Sequence, residues 1–139
     1  MAHVRKEVVI DAEPQAVWSA LADWGALHER LVPGFVVATE VDEAGDRTVT
    51  FFSGNSVRET LVARDEEEMR LAWTVFEGPY SHHNGVAQVL AEPDGRSRFV
   101  WTADLLPDAA ADATEFMMGH GAAAVKETLE GRRWSPPEP

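Results

Sequence analysis

The sequence contains no cysteine, a single tyrosine and half as many basic as acidic residues. Without a thiol it can form no disulfide framework, no thiolate nucleophile and no zinc–thiolate site. With 12 Lys and Arg against 24 Asp and Glu, the net charge of -12 leaves no basic stripe for phosphates and opposes docking on an anionic membrane. No apolar run approaches the ~20 residues of a membrane-spanning helix, and the N-terminus lacks the basic-then-apolar pattern of a secretory signal. There is no phosphate-cradling glycine loop, no dinucleotide fingerprint and no Ser-His-Asp order that a fold would assemble. These absences predict a cytoplasmic protein, monomer or homodimer, with no cofactor, no metal, and no nucleic-acid or membrane partner.

What is present is the composition of an ordinary globular domain, 45% hydrophobic and 26% charged over 139 residues. That length can bury a sizeable core. Residues 1–131 read as one domain and 132–139, ending in SPPEP, as a disordered tail. Val4 to Ile10 reads as a strand. Pro14 then suits the first turn of a helix carrying Val17, Leu21 and Trp24 at helical spacing, and a second short turn covers Ala26 to Leu31. Six strands follow, over Phe35–Val41, Arg47–Phe52, Ser56–Arg64, Met69–Phe76, Ser81–Ala91 and Arg98–Leu105, each pair separated by a turn signal. The acidic run Asp65–Glu68 is a solvated hairpin end.

Asp108 is placed as the N-cap of a long helix that runs to about Glu130 and stops at Gly131. Thr114, Met117, Met118, Gly121, Ala122, Val125 and Leu129 share one side of it. Phe116 and His120 fall on the outer side, where Phe116 could mark a dimer contact. Gly119 and Gly121 each cost about 1 kcal/mol inside a helix, which points to close approach by a ligand or strand, or to a kink. The predicted architecture is α+β: a seven-stranded antiparallel sheet curved around a long C-terminal helix, with two short helices near the N-terminus.

The stretch from Ser56 to Val89 carries the clearest chemical signal. Strand side chains alternate faces, so Val57, Glu59, Leu61 and Ala63 share one face and Arg58, Thr60, Val62 and Arg64 the other. If the apolar face is inner, Glu59 points inward. A carboxylate withdrawn from water needs either a partner or a proton. The two alternatives are a structural carboxylate tied to an arginine or backbone donors, and a polar anchor or general acid/base.

His82 and His83 are adjacent on a strand, so only one can face inward, and alternation back from Gly85, Ala87 and Val89 selects His83. Neighbours on a strand cannot easily chelate one ion, which disfavours a metal. Tyr80, at the start of that strand, either donates to a ligand carbonyl or caps the rim. Val57, Leu61, Trp73, Val75, Trp101, Met117, Met118, Gly121 and Val125 are expected to line a ligand space between sheet and helix.

The run IDAEPQAVWSALADW at Ile10–Trp24, the Gly54–Glu59–Leu61 step, WTVFEGP at Trp73–Pro79, Asn84, Trp101 and Pro107 together resemble the START-like (SRPBCC) superfamily. The likeness is to its helix-grip fold and in particular to its polyketide cyclase/dehydrase-like branch, over about residues 3 to 131. The middle stretch is also similar to plant abscisic-acid receptors, whose inner glutamate joins a polar network around the hormone. By that likeness Glu59 is the polar anchor, Ser53–Ser56 stands where the receptors have a gate, and Tyr80–His82 where they have a latch. Neither the gate nor the latch sequence is reproduced. Counted from the latch, His82 would be the inner histidine if a bulge intervenes. The resemblance implies a cavity for a small hydrophobic, carbonyl-rich, polyketide-like ligand. Glu59, His82 or His83, and Tyr80 would then be the catalytic groups of a cofactor-free cyclase or dehydratase. The alternative is a non-catalytic carrier or sensor.

Overall fold

Pro14 occupies the first turn of a helix, where its missing N–H leaves no hydrogen bond unmade, and the chain from Pro14 to Ala22 is helical in the computed structural model, which describes residues 1–138. This helix, α1, follows strand β1 (Ala2–Ile10) and buries Val17, Trp18, Ala20, Leu21 and Ala22. A 3-10 turn at Trp24–Ala26 and one wide helical turn at Leu27–Leu31 lead into the sheet. Strands β2 (Val36–Val41), β3 (Arg47–Phe51), β4 (Ser56–Asp65), β5 (Arg70–Phe76), β6 (His82–Ala91) and β7 (Ser97–Leu106) then succeed one another. Gly54, with φ of 90°, supplies the left-handed residue in the β3–β4 turn. The predicted element order and fold class are those observed.

The sheet order is β1-β7-β6-β5-β4-β3-β2, every pair antiparallel, so β1 and β2 form two free edges and the sheet stays open. The helical segment between β1 and β2 carries the chain from one edge to the other. Helix α2 (Ala111–Leu129) lies across the concave face, burying Thr114, Met118, Gly121, Ala122, Ala124 and Val125. Its C-terminal end is pinned to β1: Lys126 Nζ donates to the Val9 carbonyl at 2.6 Å, and Glu130 accepts the Asp11 N–H at 2.8 Å. The larger core cluster includes Ile10, Val17, Trp18, Leu71, Val89, Phe99 and Val125, and a smaller one holds Val4, Ala103, Leu105 and Met118.

The start of the long helix differs from expectation. Asp108 opens a 3-10 turn over Asp108–Ala110, and α2 begins only at Ala111, with no side chain capping it. The Asp108 carboxylate instead sits 3.3 Å from the N-terminal amine, an opposite charge brought close by β1. The tail also departs in part. Trp134, assigned by sequence to the disordered tail, packs against Phe35 and Phe52 with ring centroids 5.8 and 5.7 Å away. An indole of that size finds apolar cover more favourable than water.

Phe99 is 2% exposed in the larger cluster, so Phe99→Ala should cost about 3–5 kcal/mol. Val62→Ser on the outer face should stay within about 0.5 kcal/mol. Urea denaturation followed by circular dichroism measures both, and equal losses would contradict this assignment of the core.

Candidate ligand cavity

Arg47, Val49 and Phe51 alternate along β3, so Arg47 shares the inner face with two apolar residues. It pairs directly across the strands with Glu59 on β4, which in turn pairs with Val75 on β5. Thr74 pairs with Asn84, so the same lateral row runs on to His83 on β6, itself opposite Leu105 on β7. Two ionisable groups and a titratable imidazole thus lie along one line of the concave face. Strands are spaced about 4.8 Å apart, so β5 separates the Glu59 and His83 backbones by about 10 Å.

Glu59 has the partner its burial requires. Arg47 donates from Nε and Nη2 to Glu59 Oε1, each at 2.8 Å, with side-chain exposures of only 4% and 9%. Nη1 donates to the Trp24 carbonyl at 3.1 Å, and the guanidinium stacks 3.6 Å from the Trp24 ring. Burial lowers the Arg47 pKa from its ordinary value, opposed by the Glu59 charge, and an arginine keeps its proton regardless. Of the two readings of Glu59, the ion pair with an arginine is the one the structure contains. Among the described residues no protein donor reaches Oε2.

A cavity of about 280 Å³ opens between this row and α2. Val57, Glu59, Trp73, Val75, His83 and Trp101 line it from the sheet, with Tyr80 at the end of the β5–β6 connection. Thr114, Met117 and Met118 line it from the helix, Phe51 from the end of β3, and Phe35, Ser53, Asn55 and Pro79 from the surrounding segments. A second chamber of about 70 Å³ lies deeper, and Phe35, Phe51, Glu59, Trp73 and Trp101 border both. Val125 lines the inner chamber, while Gly121 stands behind Trp101 rather than at the cavity surface.

Histidine is placed by alternation, with no bulge before it. His83 is 8% exposed and lines the cavity, whereas His82 is on the outer, exposed face. The β6–β7 ladder is regular through both residues, which removes the latch-based alternative. The His83 ring meets Tyr80 edge-on at 4.6 Å, and its Nδ1 is buried without a partner. Burial depresses its pKa from 6.5 to about 4, opposed by contact with its own backbone carbonyl and by the Asp104 charge, with repulsion from His82 adding to the fall. The imidazole is therefore neutral at pH 7. Trp101 Nε1, also on the wall, is likewise buried without a partner among the described residues.

Tyr80 caps the rim. Thr114 Oγ1 gives its proton to the Ala110 carbonyl at 2.8 Å, so the 2.7 Å contact between the two hydroxyls is donated by Tyr80. With its proton committed, the phenol offers a ligand lone pairs, so of the two readings of Tyr80 the rim cap is the one the geometry holds. Leu61 is displaced as well. The β3–β4 ladder ends at Arg47–Glu59, so Leu61, still in register opposite Trp73, lies beyond the cover of β3, 38% exposed and outside the cavity. His120 faces a surface groove, edge-on to the exposed Phe116 at 4.5 Å. Among the described residues no three His, Asp or Glu converge as a metal site requires.

Sequence reading missed Arg47, Phe35 and Phe51 as site residues. The signal for Arg47 was available, since it leads an apolar alternation joined to the Glu59 strand by a short turn. Phe35 had none, because its inward direction follows from the helical turns that precede it.

A curved antiparallel sheet gripping one long helix over an apolar cavity defines a helix-grip protein. The chain belongs to the family described as polyketide cyclase / dehydrase and lipid transport, whose model matches residues 1–132. Among solved structures, an uncharacterised Bacillus thuringiensis protein superposes with a TM-score of 0.81 at 17% identity, covering 92% of this chain and 98% of that one. A Thermobifida fusca protein gives 0.76 at 27% identity over 96% and 97%. The di-domain ARO/CYC BexL from the BE-7585A biosynthetic pathway gives 0.78 at 14% identity, over 94% of this chain and 47% of BexL. No curated protein sequence matches the chain.

Removing Arg47 strands the buried carboxylate, so Arg47→Met should cost about 3–5 kcal/mol, with much of that recovered in Arg47→Met/Glu59→Leu. Denaturant midpoints of the single and double variants measure this, and an additive double variant would contradict a coupled pair.

His83 gives a separate pH signature. Its folded pKa lies below its unfolded one, so the unfolded chain binds the extra proton between 6.5 and about 4. This contribution, on the order of 3 kcal/mol, is complete above pH 6.5 and lost as pH falls through 4. His83→Phe should flatten stability across that window, and an unchanged slope would contradict a buried neutral imidazole.

Proposed function

We propose that this chain binds a small hydrophobic molecule bearing a carbonyl or hydroxyl group in the cavity beneath α2. The observation that carries this reading is an apolar cavity of about 280 Å³ lined by a neutral histidine whose buried Nδ1 has no partner. Ligand sites are mostly apolar with a few placed polar groups, and an orphaned buried polar atom is stabilised when a ligand completes its hydrogen bonding. Holding, carrying or sensing the ligand asks nothing more of these residues.

Cyclisation or dehydration of the ligand is a second reading, favoured by membership of a cyclase / dehydrase family and by the fold shared with an ARO/CYC protein. The walls would bring reacting carbons together, which alone supplies part of a rate. Proton transfer would rest on Glu59 Oε2 and His83. Both are compromised: Glu59 is already held in an ion pair by Arg47, and an imidazole with a pKa of about 4 is a weak base at neutral pH. The arrangement therefore supports binding more strongly than acid/base catalysis.

Titration of the protein with 1-tetralone and with decan-2-one, followed by tryptophan fluorescence, tests the binding reading because Trp73 and Trp101 form the wall. Saturable one-to-one binding is expected for at least one of them, weakened at least tenfold by Met117→Trp, which fills the cavity from the helix. No saturable signal, or binding indifferent to Met117→Trp, contradicts it.

A further inference from the structure

We propose that the cavity selects an uncharged, flat molecule of two or three fused rings, with Gly85 and Gly121 setting the size limit by recessing its two indole walls. This rests on the ligand-binding reading above and narrows it.

Charge is the first restriction. Among the described residues the lining contains one acid, Glu59, and no lysine or arginine reaches the larger chamber. Arg47, which borders the inner chamber, already gives Nε and Nη2 to Glu59 and Nη1 to the Trp24 carbonyl. A ligand carboxylate would therefore find no free cation after losing its own hydration. A ligand cation would find the Glu59 charge already compensated. A neutral hydroxyl or carbonyl suits the groups left over: Glu59 Oε2 at one end of the lateral row and His83 at the other, their backbones about 10 Å apart.

Shape is the second. Trp73, Trp101, Phe35, Phe51 and Tyr80 present aromatic surface from several sides, and aromatic groups pack best against other flat rings in offset or edge geometry. Volume is the third. At an interior packing density of about 0.74, a space of about 280 Å³ holds roughly 200 Å³ of matter, which is two or three fused rings. A long linear chain would have to fold back on itself to fit.

Two glycines make this space. A Cβ on Gly121 would come within 2.6 Å of Trp101 Cζ3 and 3.0 Å of Cη2, and one on Gly85 within 2.6 Å of Trp73 Cε2. Gly121 sits inside α2, where glycine is the poorest former after proline, and Gly85 sits inside β6. Their absent side chains let each indole lie against backbone. Trp73 and Trp101 both border the two chambers, so pushing either indole off its glycine moves it into ligand space.

Isothermal titration of the full chain at pH 7 with 2-naphthol, 2-naphthoate and decan-2-one tests the proposal. The naphthol should bind at least tenfold tighter than both others. Gly121→Ala should weaken 2-naphthol at least tenfold and phenol less than threefold. Gly121→Ala/Trp101→Phe should restore naphthol binding, because phenylalanine lacks the indole atoms that the new methyl meets. Alanine favours the helix, and the double variant separates lost space from lost folding. If naphthoate or decan-2-one binds as tightly as naphthol, or the double variant gives no rescue, the proposal is overturned while the cavity reading stands. If none of the three binds, both fail.

Discussion

The Arg47–Glu59 pair is the constraint on which the rest of this structure depends. Two charges are held almost fully out of water on the concave face, where the remaining side chains are mostly apolar. Each charge is tolerable only because the other is there and because Trp24 supplies a carbonyl to one guanidinium nitrogen and a ring face to the plane. That arrangement ties three separate parts of the chain together: the turn after α1, the start of β3 and the middle of β4. It also fixes the β3–β4 register, since a slip of one residue would turn both charges to solvent and bring Thr48 and Arg58 inward.

The pair shapes the cavity as much as the fold. It closes the inner chamber with groups that cannot collapse onto one another as leucines would. It also neutralises its own charge, so the space beside it remains apolar in effect. Beyond the pair, β4 loses its β3 neighbour, which ends the cavity wall at Glu59. At the far end of the same row, burial keeps His83 neutral, and the Tyr80–Thr114 hydrogen bond ties the β5–β6 connection to α2. The result is a largely apolar space with polar groups at its two ends.

Element order and sheet topology were legible in the sequence because alternation and turn residues are local signals, and each strand carried both. The inward directions of Glu59, Trp73, Val75 and His83 followed from the same two-residue period. Leu61 shares their face but not their cover, because where the neighbouring strand stops is not a local signal. Nor was the donor state of Tyr80 legible, since it depends on Thr114, 34 residues away, having committed its proton to Ala110. The partner of Glu59 was hidden for a different reason. Arg47 carried an inward pattern of its own, but a lone arginine opening a strand reads as solvated until the opposite strand is known to carry a carboxylate in register.

An apolar site that excludes charge is the central claim, and the protonation state of His83 reports it from inside the cavity. Nitrogen-15 NMR of the His83 ring, followed from pH 8 downward, measures it directly. The account predicts a neutral ring through the whole of the ordinary histidine range, with protonation only as the pH approaches about 4. A ring that takes up its proton near 6.5 would place water or a compensating charge in the cavity and contradict the account.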